Sequence, residues 1–461
     1  MIAGEARPLQ EPTPPSAATE HHPSAPHDRQ PGANKEAGQP SLAWRLLRAA
    51  TVDVGPLRRH RDFRLLFVGQ LVSFFGNMIT SVAVPFQAYA LTHSSLAVGL
   101  FGVVQLVPLL LLAFLGGALA DAFDRRRLVQ STELSLALLS GVLLVNALVP
   151  HPQLWILYIV AALAAGLDAL QRPSLEALLP RLVDRDELIA AGALNTLRGT
   201  FGMILGPALA GVLIATTGLP STYGIDVATF VVSLIALRLM RAVPPPPDAE
   251  RPSLRRVVEG LRYARSRPEL LGTYLVDMVA MFFGMPNALF PALAVQYARK
   301  GALAAATTLG LLYTAPAVGA FVASATSGWT RRVHRHGLAV MLAAGAWGLA
   351  IIGVGLAPSL VPALVFLVAA GAADAVSGLF RGVIWNKTIP DALRGRLASI
   401  ELVSYSSGPL LGDVESGAVA TAFTPRISIL SGGVLCVLGV GLFAFLLPDF
   451  RRYDDRLPAQ P

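Results

Sequence analysis

From Leu65 onward the chain repeats one pattern: a long run of apolar residues, a short polar break, then another run. A helix rises ~1.5 Å per residue, so a run of ~20 apolar residues matches the ~30 Å hydrocarbon core of a bilayer. Within that core every backbone donor and acceptor must be satisfied inside the segment, which makes the helix the natural conformation for such a run. The runs occupy 64–91, 95–120, 127–149, 153–178, 188–217, 221–240, 270–297, 303–330, 338–357, 360–388, 396–423 and 427–447. Twelve membrane-spanning helices are therefore expected, in an all-α polytopic fold. The composition agrees, with 54% hydrophobic and 14% charged residues among 461. Soluble domains carry roughly a quarter charged residues, so an enzyme with an ordinary aqueous surface is excluded, as is a disordered chain.

The net charge of +8 gains its meaning from its distribution. Lys and Arg concentrate in cytoplasmic loops of membrane proteins. With the amino terminus inside, 33 of the 37 basic residues fall in the two tails and the even-to-odd loops. Arg381 and Lys387 are counted there with the loop between runs ten and eleven. Arg299, Lys300 and Arg426 fall outside, and Arg198 alone lies within a run. Both termini are thus expected on the cytoplasmic face. The first 40 residues are rich in Pro, Ala, Gln, His and Ser without apolar periodicity, so disorder is expected, and no secretory signal pattern is present. Residues 42–64 combine Trp44, Leu46 and Leu47 with Arg45, Arg48, Arg58, Arg59 and Arg61; they fit either a basic segment on the membrane surface or a charge cluster that orients the first span.

A charged, proline-rich break divides the runs six and six. The expected organisation is a basic tail at 1–60, a six-helix half at 61–243, a linker at 244–268, a second six-helix half at 269–450 and a tail at 451–461. The halves echo each other: Asp168 with Asp374, Arg172 with Arg381, Pro180 with Pro390, Gly117 with Gly328, and Gly206-Pro207 with Gly408-Pro409.

Two motifs carry a family resemblance. Gly117-Ala-Leu-Ala-Asp121-Ala-Phe-Asp124-Arg125-Arg126-Arg127 resembles the loop signature that follows the second helix in the major facilitator superfamily, with Ala122 where that family commonly has Arg. Gly202-x-x-x-Gly206-Pro207-x-x-Ala210-Gly211 resembles the superfamily's exporter-type motif in the fifth helix. Arg172-Pro173, Leu179-Pro180, Asp186-Glu187-Leu188, Asp226 and Pro390-Asp391-x-x-Arg394-Gly395-Arg396 are similar to the enterobactin-exporter and macrolide-efflux branch. The resemblance spans about residues 58–450. It implies two parallel six-helix halves with the substrate between them near the midplane, reached by rocking. It also implies that Gly117, Asp121, Arg125 and Arg126 form a conformational gate and that Gly202, Gly206, Pro207 and Gly211 shape an export-type helix.

Ionisable residues within a span are costly and therefore mark function by default. Here they are Glu133, Asp168, Arg198, Asp226, Asp277, Asp374, Glu401, Asp413 and Glu415. Counted from the helix ends, Glu133, Asp226, Asp413 and Glu415 lie near headgroups or water. Asp168 is expected to pair with Arg198 or Arg172. Asp277 is expected to carry a coupling proton, with structural pairing as the alternative, and Asp374 matches Asp168 in the second half. Asn77, Gln105, Asn287 and Tyr405 are candidates for a substrate cavity, along with Gln70, Gln87, Tyr274, Tyr313 and Trp385; each fits helix packing equally well.

There is no Gly-Lys pair for a phosphate-binding loop and no Gly-x-Ser-x-Gly, and the single Cys436 lies in an apolar run. An ATP-driven pump, an intramembrane hydrolase and a metal enzyme are excluded on that basis, and no cofactor, metal or nucleic-acid partner is expected. The expected function is a monomeric secondary exporter of small amphipathic organic molecules in a bacterial plasma membrane, driven by protons, with lipids as its surroundings. A transport-inactive membrane sensor or interaction protein is the alternative.

Overall fold

A computed structural model describes residues 53–122, 124–243, 262–263, 265–301, 303–390, 394–454 and 456, with 113–122 and 394–404 described by their backbone alone. Residues 1–52 of the expected tail and most of the expected linker lie outside the described residues, as do the side chains of Gly117, Asp121 and Glu401.

The described chain is helical throughout. The long helices are α1 Arg61–Thr92, α2 Ser95–Ala122, α3 Arg125–Leu148, α4 Leu154–Leu182, α5 Leu188–Leu239, α6 Pro268–Gly284, α7 Phe290–Arg299, α8 Ala305–Ala325, α9 His336–Leu356, α10 Leu360–Thr388, α11 Arg394–Ala422 and α12 Pro425–Leu446. Local chemistry sets several boundaries. Asp124 caps α3 by accepting from the Arg127 N–H at 3.2 Å, and Thr424 caps α12 by accepting from the Ile427 N–H at 3.2 Å, just before Pro425.

Ten stretches among the described residues are long and apolar enough to cross a bilayer, against twelve expected runs. One stretch, Arg185–Leu239, holds 55 residues, which would extend ~80 Å as a straight helix. Gly218, at φ 80° and ψ 174°, breaks α5 into two limbs there, in a conformation that only glycine adopts without strain. The other difference is α11, which carries five charged residues, more than any other of the long helices. The seventh run is interrupted as well: α6 ends at Gly284, a 3-10 turn covers Asn287–Leu289, and α7 follows. The Asp413 carboxylate on α11 accepts from the Ala288 N–H at 3.0 Å, satisfying one donor that the break exposes.

Large apolar side chains point outward along these helices, among them Leu138, Leu342 and Phe445. The interior is rich in Gly, Ala and Ser, so packing rather than apolar burial brings the helices together, as in lipid-embedded bundles. Two crossings join the amino-terminal helices α1–α5 to the carboxyl-terminal helices α6–α12: α2 against α11, and α5 against α8. At the second, Gly211 and Gly310 meet backbone to backbone, and a Cβ on either would collide with the facing chain. The Thr307 hydroxyl reaches the Gly211 carbonyl, the Thr314 hydroxyl donates to the Ile204 carbonyl at 3.0 Å, and the Leu96 N–H donates to Thr421 at 3.2 Å.

Candidate functional site

A cavity of about 510 Å³ lies among α1, α3, α4 and α5. Helix α1 contributes Gln70, Phe74 and Asn77; α3 contributes Glu133; α4 contributes Asp168, Gln171 and Arg172; α5 contributes Arg198. These positions recur at helical spacing, so each helix presents one polar stripe inward. Glu133 is only 2% exposed. Its carboxylate accepts from the amides of Gln70 at 2.7 Å and Gln171 at 3.0 Å, and from the Ser73 hydroxyl at 3.1 Å. Behind it Asp226 is equally buried, accepting from Ser140 at 2.6 Å and Thr80 at 2.7 Å. Counting from helix ends placed both carboxylates near headgroups or water. The structure corrects this, because α1 carries Gln70, Ser73 and Thr80 to them at its own mid-length.

Asp168 faces the cavity, with the Asn77 amide as its hydrogen-bonding neighbour. The expected pairing of Asp168 with Arg198 or Arg172 is not formed. The Arg198 guanidinium lies over the Phe74 ring, 5.8 Å from its centroid, and its Nε is buried with no hydrogen-bond partner among the described residues. Arg172 instead bonds Glu176 at 3.1 Å and donates to the Tyr405 hydroxyl on α11, a contact between the amino-terminal and carboxyl-terminal helices.

The carboxyl-terminal helices hold their charge differently. Arg381, counted from sequence as a loop residue, lies inside α10 with 10% of its side chain exposed. It pairs with Asp277 on α6, whose side chain is 7% exposed, and reaches Asp374 on its own helix at 3.5 Å. Arg198 is thus not the sole basic residue within a span, and Asp277 occupies an ion pair. One turn beyond Arg381, the Trp385 indole donates to Thr273 at 2.9 Å and stacks on Tyr274.

Of the cavity residues expected from sequence, Asn77 lines the cavity and Tyr405 reaches it through Arg172. Gln105 is half-buried on α2 apart from the cavity lining. Asn287 belongs to the 3-10 turn and accepts from Tyr313 through its carbonyl at 3.2 Å. Gln87 is taken up by a hydrogen bond from Tyr223 at 2.7 Å. Sequence reasoning missed Gln171 and Phe74; Gln171 lies one turn from Asp168 on the same face of α4, and that spacing was the available signal. Of the export-type motif, Gly202 and Gly206 pack against Phe74 and Met78 of α1, and Gly211 forms the crossing with α8. Of the gate motif, Arg125 donates to the Ala177 carbonyl at 3.1 Å, and Arg126 to those of Leu237 at 2.6 Å and Arg238 at 2.8 Å. One group of potential metal ligands occurs among the described residues: His60, Asp184 and Glu187. Arg59 already binds Glu187 at 2.8 Å and His60 binds it at 2.6 Å, so the group is a closed ion-pair cluster.

A helical bundle with polar stripes facing an internal cavity, and small-residue crossings between its two ends of sequence, has the architecture of the major facilitator fold. Solved structures share the fold: the nucleoside transporter NupG at a TM-score of 0.68 and 12% identity, covering 84% of this chain and 98% of that one. A bacterial homologue of the lysosomal transporter Spinster gives 0.67 at 15% identity, covering 88% and 100%. Residues 51–458 match the transmembrane secretion effector family, and the chain belongs to that family of multi-pass membrane transporters, not to an enzyme family. It is 30% identical over 403 residues to an enterobactin exporter of Citrobacter koseri, covering 87% of this chain and 95% of the relative. It is 29% identical, over the same shares, to an enterobactin exporter of Shigella boydii.

Proposed function

We propose that this chain is a secondary active exporter of small amphipathic organic molecules that works by alternating access with proton antiport. The observation that carries the reading is the cavity in which Glu133, Asp168 and Arg198 sit with the Phe74 ring, a mixture of carboxylates, one cation and an aromatic face among membrane-spanning helices. Such a site offers an apolar body a surface and a polar group a partner. A carboxylate held by neutral amides keeps access to both a protonated and an ionised form, which suits it to exchange a proton for cargo. We assign that exchange to Asp168 with Glu133, and charge recognition to Arg198. Asp277, Arg381 and Asp374 form a tie between α6 and α10 that tracks the same cycle.

In this reading the helices make twelve crossings, six in 61–243 and six in 269–450, joined by the linker at 244–268 and flanked by tails at 1–60 and 451–461. The limbs of α5 count as two crossings, and α6 with α7 as one. Both termini face the cytoplasm of a bacterial plasma membrane, as the basic loops support, and the unit is a monomer. Gly117, Asp121, Arg125 and Arg126 act as the gate on that face, and Gly202, Gly206, Pro207 and Gly211 let α5 slide on its neighbours.

The test is reconstitution in proteoliposomes with an imposed pH gradient, with enterobactin and a macrolide as separate probes. Gradient-driven flux of at least one probe is expected, lost in Asp168→Asn with the protein still folded. Flux indifferent to collapse of the gradient overturns proton antiport. No flux of any probe leaves the membrane sensor as the reading.

A further inference from the structure

The six-residue 3-10 turn Ser327–Arg332 carries Gly-Trp-Thr-Arg-Arg, the second-half echo of the gate motif, and the transport cavity makes no use of it. Beside it, between α9 and α10, lies a second cavity of about 490 Å³ whose walls are almost wholly apolar. Alanines including Ala343 and Ala373 form its floor, Phe380 closes one end, and Leu342, 65% exposed, and Trp329, 46% exposed, flank it on the outer surface of the bundle. The cleft thus opens sideways, where the surrounding hydrocarbon lies, and not into the transport cavity.

Its mouth is basic. Arg335 lines it, and Arg331 and Arg332 occupy the adjoining turn; all three are exposed, and none is paired with a carboxylate among the described residues. Their first-half counterparts behave otherwise, since Arg125 and Arg126 direct their donors to backbone carbonyls. A buried apolar slot ending in three unneutralised guanidinium groups beside an interfacial tryptophan is complementary to one chemistry, a long apolar chain ending in a phosphate. Guanidinium forks bind phosphate oxygens in pairs, and tryptophan favours the headgroup level.

We infer that this cleft is a binding site for an anionic phospholipid of the surrounding bilayer, one acyl chain lying between α9 and α10 and the phosphate held by Arg331, Arg332 and Arg335. A juxtamembrane basic residue contributes about fivefold in binding to anionic lipid, so three give a marked preference for phosphatidylglycerol over phosphatidylcholine.

Trp329 reports on the site directly. In the full chain with the remaining tryptophans changed to Phe, brominated phosphatidylglycerol is expected to quench Trp329 at a lipid fraction at least fivefold lower than brominated phosphatidylcholine. Arg331→Gln, Arg332→Gln and Arg335→Gln together are expected to bring the two lipids to parity. In a second chain that keeps Trp155 as its single tryptophan, this residue, 58% exposed at the start of α4, serves as the comparison reporter and should show no preference. Native mass spectrometry of the otherwise unaltered chain, counting retained phosphatidylglycerol with and without the three arginines, covers the case in which the tryptophan changes disturb folding. Equal quenching by both lipids, a preference that survives loss of all three arginines, or displacement of either lipid by enterobactin overturns the proposal.

Discussion

Asp168 on α4 and Asp374 on α10 are each followed along the same helix by an arginine, Arg172 four and Arg381 seven residues further on, yet the two helices handle them in opposite ways. Arg381 turns inward, binds Asp277 across to α6 and keeps 10% of its side chain exposed. Arg172 lies at the open wall of the cavity, keeps 58% of its side chain exposed and bonds Glu176 and Tyr405. Glu133, Asp168 and Asp226 are held by Gln70, Gln171, Asn77 and hydroxyls, and none of the three is paired with a guanidinium. Two helices carrying the same pair of residue types therefore support two electrostatic designs. Neutral amides leave a carboxylate able to gain and lose a proton, whereas a guanidinium in a low-dielectric interior fixes both charges and ties two helices together.

The largest expected effect tests the ion pair. Arg381→Met leaves the Asp277 carboxylate buried without its counter-charge, and breaking such a pair costs about 3–5 kcal/mol. Thermal unfolding in detergent should show the loss, and adding Asp277→Asn should restore most of it, since the orphaned charge is then gone. Arg172→Met on α4 should change stability by less than about 1 kcal/mol. Equal losses at the two sites would break the contrast between the helices.

A middle-sized effect is expected at Glu133. Glu133→Gln keeps an acceptor for Gln70 and Ser73, so stability should stay within about 1 kcal/mol of the native chain while transport coupling falls. Glu133→Leu strands the donors of Gln70, Gln171 and Ser73, and each unsatisfied buried group costs about 1–3 kcal/mol. The two variants separate an acid needed for transport from an acid needed only to satisfy its neighbours. If both destabilise alike, the carboxylate is structural.

The sequence made the helices legible because run length has a physical ruler, the thickness of the hydrocarbon, and because the gap at 218–220 marks the break at Gly218; the break after Gly284 fell inside the single run 270–297. Charge partners were not legible, because pairing depends on which helices are neighbours and on the rotation of each about its axis. Asp168 met Asn77 from α1 instead of Arg198, whose guanidinium stacks on Phe74. Arg381 fell within the tenth apolar run, yet proximity to Lys387 and Arg394 made it resemble a loop charge; only the facing Asp277, more than a hundred residues earlier, explains its burial. Glu133 and Asp226 looked peripheral because distance along one helix says nothing of a second helix that covers them.

The smallest effect concerns a hydrogen bond between two side chains that joins the two sets of helices, from Arg172 to Tyr405. Tyr405→Phe removes the acceptor and leaves Arg172 its bond to Glu176. Because the guanidinium is largely solvated, the stability change should stay below about 1 kcal/mol, and a double-mutant cycle with Arg172→Gln should give about 0.5 kcal/mol of coupling. The contact nonetheless bridges α4 and α11, which move relative to each other if access alternates between faces. A bond made in one state and absent from the other shifts the balance by its full coupling, roughly twofold for 0.5 kcal/mol. Distances between spin labels on α4 and α11 should therefore show a modest redistribution in Tyr405→Phe, with both populations still present. No redistribution would mean that the bond persists through the cycle and that α4 and α11 travel as one body, whereas a shift of tenfold or more would make this exposed pair a principal latch and reverse the ranking that burial assigns to Arg172 and Arg381.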